Sequence, residues 1–130
     1  MILDSSVILA MILGEDDAER IALVLAAEWG LKMSAGNLLE VFLVVDGRGD
    51  PIARGMLDAI LQRAGVAIVP LTYPQVLLAR QAYRDYGKGN HPARLNMGDC
   101  YAYALSKESG EQILAKGHKF SKTDLDVVQY

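Results

Sequence analysis

Four acidic residues stand where an acid needs a reason: Asp4 in MILDSSVILA, Glu40 in NLLEVFLVV, Asp99 in LNMGDCYAYALSK and Asp124 in FSKTDLDVV. A charge among apolar residues is costly to bury unless the fold gives it a partner. Asp4 interrupts a greasy run that resumes after Ser5 and Ser6, and Glu40 interrupts another. Taken singly, each acid has a bland explanation. Glu40 can lie on a polar helix stripe, Asp99 can stabilise a helix start, and Asp124 or Asp126 can cap a turn. Taken together, Asp4, Glu40 and Asp99 suit a single cluster. Converging carboxylates repel one another unless a divalent cation joins them. Hard oxygen donors favour Mg²⁺ or Mn²⁺, which keeps several waters and binds through a few carboxylates and a substrate phosphate. The chemistry implied is hydrolysis of a phosphodiester by metal-activated water.

Rival chemistries find less support. His91 and His118 are isolated, and no Cys/His group has the spacing of zinc ligands. No GxxxxGK[ST] loop is present to cradle nucleotide phosphates. A phosphohydrolase with Asp4 as nucleophile would want a second aspartate two positions on, where Ser6 stands. A phosphoacceptor domain of the receiver type would pair acids ahead of its aspartate, and the order of acids here does not fit. The lone Cys100 excludes an internal disulfide, suits a reducing compartment and reads as a small packed residue.

These residues need a scaffold, and the chain alternates strand and helix patterns. Ile2–Leu3 reads as a buried strand, followed by a helix to Leu13 that Gly14 ends. A helix is expected over 16–29, with Ile21, Leu25 and Trp29 at helical spacing. Lys32–Ser34 reads as a strand and 37–46 as a helix closed by Gly47 and Gly49. Asp50-Pro51 restarts a helix to about Ala64. GVAIVPL is a strand, and Thr72 with Gln75 forms a capping-box pattern for a helix to about Tyr86. After the loop GKGNHPARLN, Asn96 caps a helix to about Ser109, and QILA is the last strand. Such alternation indicates an α/β fold, one domain over residues 1–130, with a mainly parallel sheet covered on both faces. Ligands in these folds gather at the carboxyl ends of the strands, where Asp4 falls.

Charge is uneven along the chain. The net charge of −3 gives no overall basic field. Residues 80–122, however, hold Arg80, Arg84, Lys88, Arg94, Lys107, Lys116, Lys119 and Lys122 against four acids, while the first 79 residues hold five bases and ten acids. A local basic surface can meet phosphate on an acidic protein. No basic segment precedes an apolar stretch at the N-terminus, and the uncharged run 64–79 is broken by Pro70 and Pro74. A cytoplasmic protein without membrane spans is therefore expected.

With MILDSSVILA, NLLEVF, HPARLNMGDCYAYALSK and AKGHKFSKTDL in this order and spacing, the chain resembles PIN domains over essentially its whole length, and within them VapC-type toxins of bacterial toxin–antitoxin pairs. The resemblance implies an α/β/α sandwich and a Mg²⁺- or Mn²⁺-dependent endoribonuclease. By motif, Asp4 and Asp99 would be the principal metal-binding acids, and Glu40 would complete the cluster and orient the attacking water. Ser6 would support the first carboxylate or a metal-bound water, and Asn96 would cap the helix that carries Asp99. The resemblance also implies a homodimer and a cognate VapB-type antitoxin, for which the apolar residues Trp29, Leu38 and Phe42 within 16–46 would serve as a groove. One departure stands out. Where many relatives carry an acid between the late glycine and phenylalanine, this chain reads KGHKF, with His118 and Lys119. Asp124 is then the remaining candidate for a fourth acid, and Lys119 and Lys122 are candidates to meet RNA phosphate. A degenerate, non-catalytic module that only docks its partner is the alternative function.

Overall fold

In the computed structural model, which describes residues 1–130, four short strands form one parallel sheet. They are β1 (Ile2–Leu3), β2 (Lys32–Ser34), β3 (Ala67–Val69) and β4 (Ile113–Leu114), ordered β3-β2-β1-β4. The C-terminal tail extends this order, pairing Val127 in parallel with Ile113. Six helices connect and cover the strands: α1 (Ser5–Leu13), α2 (Ala18–Ala27), α3 (Ala35–Gly47), α4 (Pro51–Ala64), α5 (Tyr73–Tyr86) and α6 (Met97–Ser109).

Side-chain alternation along the strands builds two cores. Leu3 and Leu114 pack with Val7, Ile8, Ile21, Met33, Val41, Val45 and Leu57, from β2 and helices α1–α4. Their neighbours Ile2 and Ile113 point the other way, into Ala82, Leu95, Cys100, Ala102, Tyr103 and Phe120 on the α5–α6 side. Two-residue periodicity in strands only two residues long therefore divides the helices into layers. The result is the expected α/β/α sandwich. Because the chain leaves β1 toward β2 and returns to β4 on the opposite side, the order reverses between β1 and β4. In open α/β sheets the carboxyl ends of strands at such a reversal are where ligands bind.

Local chemistry explains the element ends. Gly14, Gly65 and Gly110 terminate α1, α4 and α6 in the left-handed conformation that glycine adopts without a Cβ penalty. Two sequence expectations change. The second helix is shorter than 16–29, and Trp29 falls beyond its end, 91% exposed, rather than on its buried stripe. Thr72 does cap α5 through the Gln75 N–H, but the Gln75 side chain turns to Glu108 instead of closing the box.

Candidate functional site

Three helix starts meet at the sheet reversal. Asp4 follows β1 directly and is the N-cap of α1; its Oδ2 accepts the Ser6 N–H at 3.0 Å. Asp99 is the third residue of α6 and half of a reciprocal capping box. Its Oδ2 accepts the Asn96 N–H, and the Asn96 side chain accepts the Asp99 N–H, each at 2.9 Å. A helix N-terminus carries partial positive charge, so both carboxylates sit where a helix tolerates anions best. Glu40, half-buried in the second turn of α3, reaches over the start of α6, where a Cβ on Gly98 would overlap its carboxylate. Glycine at 98 is thus what admits Glu40 beside Asp99.

Asn37 ties the three starts together. Fully buried, it donates from Nδ2 to Ser5 Oγ on α1 and to the Gly98 carbonyl on α6, both at 2.9 Å. Ser5 donates back to the Asn37 carbonyl. Ser6 makes a further tie, its Oγ accepting the Lys116 N–H just after β4. Neither the bridging role of Asn37 nor the place of Gly98 was read from the sequence. An asparagine one turn before a lone acid in an apolar helix was the available signal.

Within the cluster, Asp4 has no cationic partner. Asp4 is 5% exposed and Asp99 8%. Burial pushes the Asp4 carboxyl up to about 6 despite opposing hydrogen bonds from Ser6, and the charges of Asp99 and Glu40 push it further the same way. The effect of Asp99 and Glu40 on Asp4 puts the three acids in one neighbourhood. The same burial, with Asp99 close by, raises the Cys100 thiol to about 11, which leaves it an inert packed residue. His91 is likewise structural, its Nδ1 accepting the Ala93 N–H and its ring edge-on to Tyr86.

Lys119 is the cation at this cluster. Its Nζ lies 2.9 Å from Asp99 Oδ2. No three of the protein's Asp, Glu, His and Cys side chains stand grouped tightly enough to hold a metal ion as they are. The three carboxylates expected from sequence are therefore near one another without forming a closed cage, and Lys119 engages one of them. The donor chemistry nevertheless fits a hard divalent cation. Mg²⁺ needs only one or two protein carboxylates, completing its shell with water and substrate oxygens, and Asp4 is a buried carboxylate without a cationic partner.

Asp124 does not join the cluster. Its carboxylate accepts the Tyr103 hydroxyl at 2.7 Å and pairs with Lys107, further along α6 than Asp99. Lys122 lies with Lys119 on a basic cleft, and Asn96 shares that cleft's wall. Of the apolar residues expected to form a groove, Trp29 is almost wholly exposed, Phe42 is 37% exposed and Leu38 is half-buried.

The chain matches the family described as the PIN domain over residues 1–125. It is 44% identical to Ribonuclease VapC30 of Mycobacterium tuberculosis over 129 residues, 98% of each chain. In structure it is similar to VapBC2 of Rickettsia felis bound to a DNA fragment from its promoter. That likeness has a TM-score of 0.76 at 13% identity and covers 98% of this chain and 96% of the other. It is also similar to VapC20 of Mycobacterium tuberculosis, a sarcin-ricin loop cleaving toxin, with a TM-score of 0.75 at 19% identity over 98% and 97% of the two chains.

Proposed function

This chain belongs to the PIN-domain family, among its VapC ribonucleases, and on that premise we propose that it is the metal-dependent endoribonuclease toxin of a toxin–antitoxin pair. The observation that carries the reading is Asp4, a carboxylate at a strand end that burial pushes up to about 6, with its acidic neighbours adding to the push. Uncompensated acids of this kind concentrate at functional sites. Asp4 and Asp99 are the residues to hold Mg²⁺ or Mn²⁺. When bound, such a cation supplies positive charge to a phosphodiester in transition and acidity to water. Glu40, at the more open edge, is placed to orient the attacking water and accept its proton. Ser6 keeps Asp4 aimed, and Asn96 keeps Asp99 aimed.

The partner proposed is a VapB-type antitoxin. Supporting it are the exposed apolar side chains Trp29, Leu39, Leu43 and Phe42, together with an apolar hollow between α1, α2 and α4 lined by Met11, Leu25 and Ile60. A helix of the partner would bury such surface. No helix of this chain is long and apolar enough to cross a membrane, and we assign the protein to the cytoplasm as a homodimer.

The test is cleavage of a mixed RNA pool by antitoxin-free protein with Mg²⁺, with Mn²⁺ and with EDTA, beside an Asp4→Ala, Asp99→Ala double variant. Discrete cuts that need metal and vanish in the double variant are expected. Folded protein that makes no cuts with either metal would instead identify a docking module.

A further inference from the structure

Beside Asp99 lies a second feature that the carboxylate chemistry does not use. A cleft of about 440 Å³ runs between the α5–α6 loop and the segment after β4, lined by Lys88, Arg94, Asn96, His118, Lys119 and Lys122. Its lining contains no acid. Like charges brought together on a wall repel, and such gatherings persist where an anion is to be received. Lys88, Arg94 and Lys122 take part in none of the protein's ion pairs. Only Lys119 is engaged, and its partner is Asp99. The cleft thus ends at the acidic cluster, with Lys119 as the shared residue.

The backbone of the loop is tied down on both sides of these cations. Tyr86, Lys88 and Leu95 exchange backbone hydrogen bonds across a Gly87–Leu95 bridge, with Lys88 N–H donating to Leu95 and Leu95 N–H to Tyr86. Asn90 clamps the loop to the end of α5 through the Arg84 carbonyl at 2.7 Å. Lys88 and Arg94 therefore stand on paired arms of the loop. Arg94 is also the one non-glycine residue with positive φ, at 54°. That conformation is unfavourable for an L-residue and persists where the surroundings require it. A glycine there would relieve the strain and lose the guanidinium.

We propose that this cleft is a phosphate-binding subsite for single-stranded RNA, gripping the backbone next to the bond addressed by Asp4, Glu40 and Asp99. The assignment rests on the nuclease reading and deepens it by naming the side from which the strand enters. The α5–α6 loop and Lys122 hold phosphates flanking the cut, and Lys119 stands at the junction. Arginine suits this task through its planar fork, lysine as a point charge.

The experiment measures binding of a short fluorescein-labelled single-stranded RNA by anisotropy, in EDTA so that nothing is cut, across a salt series. A triple variant, Lys88→Gln, Arg94→Gln and Lys122→Gln, is compared with wild type and with a control of equal charge change, Arg48→Gln, Arg54→Gln and Arg63→Gln. Each phosphate contact on a single strand contributes about 0.7 to the slope of log affinity against log salt. Three lost contacts should lower the slope by about 2 and weaken binding roughly a hundredfold at 0.1 M salt. The control should stay within about threefold of wild type, a residual long-range effect of charge. With metal present, the cleft variant should raise KM and leave kcat nearly unchanged. Equal losses in cleft and control variants would overturn the subsite, as would a cleft variant that binds like wild type while retaining its thermal midpoint. A wild type that neither binds RNA nor cuts it would sink the nuclease reading itself. A cleft variant that keeps RNA affinity but loses an acidic protein partner would reassign the cleft to protein recognition.

Discussion

At the start of α6, Asp99 shares a buried neighbourhood with Asp4 and Glu40. Further along the same helix, Asp124 lies against Tyr103 and Lys107 with 44% of its side chain exposed. Both stations carry acids that the sequence singled out, and both involve a lysine. Their electrostatics run opposite ways. Burial raises Asp4 to about 6. Hydrogen bonding and charge from Lys107, helped by the Tyr103 hydroxyl, hold Asp124 below the usual carboxylate range. One station is an acid the fold has satisfied. The other includes Asp4, an acid the fold has buried beside the paired Asp99 without giving it a cation, and that is the signature of a group kept for a ligand.

The largest expected difference between the stations is in catalysis. Asp99→Asn should lower RNA cleavage by about a thousandfold, as loss of a principal electrostatic group does. Asp124→Asn should change it by less than about threefold, since exposed pairs of this kind contribute little. Single-turnover cleavage under identical metal concentrations checks both. Comparable losses would break the contrast and return Asp124 to the active set.

Stability should separate the stations by sign. Between about pH 3.8 and 6, folded protein holds the Asp4 proton more tightly than unfolded protein does, so stability falls as pH rises through that window. The penalty is complete above about pH 6, where it amounts to about 3 kcal/mol at most. Asp4→Asn should therefore raise the urea midpoint at about pH 7.5, an advantage that disappears below about pH 4. Added Mg²⁺ should lift wild type toward the variant. For Asp124 the sign reverses: its lowered pKa adds stability above the unfolded value of 3.8, and this is lost as pH falls through the folded value. Asp124→Asn should thus weaken the fold at neutral pH. An Asp4→Asn variant no more stable than wild type would remove the claim that Asp4 is uncompensated.

The smallest effect concerns Lys119. Its pair with Asp99 must yield before a cation can use that oxygen, yet its side chain is 46% exposed. Such pairs are worth about 1 kcal/mol or less, so Lys119→Ala should tighten Mn²⁺ binding by about fivefold at most. Lys119→Glu, which supplies the late acid this chain lacks, should tighten it more. Calorimetric titration of metal into RNA-free protein reads this directly. Unchanged affinity in both variants would mean that Lys119 does not compete for the site.

Much of this organisation was legible in the chain. Buried Ile-Leu pairs, the Asp50-Pro51 helix restart, the cap at Asn96 and terminal glycines are local signals, and local signals act through backbone sterics and orphan hydrogen bonds within a few residues. They placed Asp4 at a strand end and Asp99 in the first turn of a helix. Trp29 misled because helical spacing continues past a helix end, whereas the backbone after Ala27 does not.

What the sequence determined, then, was the inventory: which acids, on which elements, near which caps. Tertiary structure alone decided the company each acid keeps. Asp4, Glu40 and Asp99 meet because the strand order reverses between β1 and β4, and Asn37 then binds three helix starts separated widely along the chain. Asp124, alike in type and close in sequence to Lys119, was drawn instead to Lys107 and Tyr103. Pairing energies depend on distance and burial, which are set by long-range packing and leave no periodic trace in neighbouring residues.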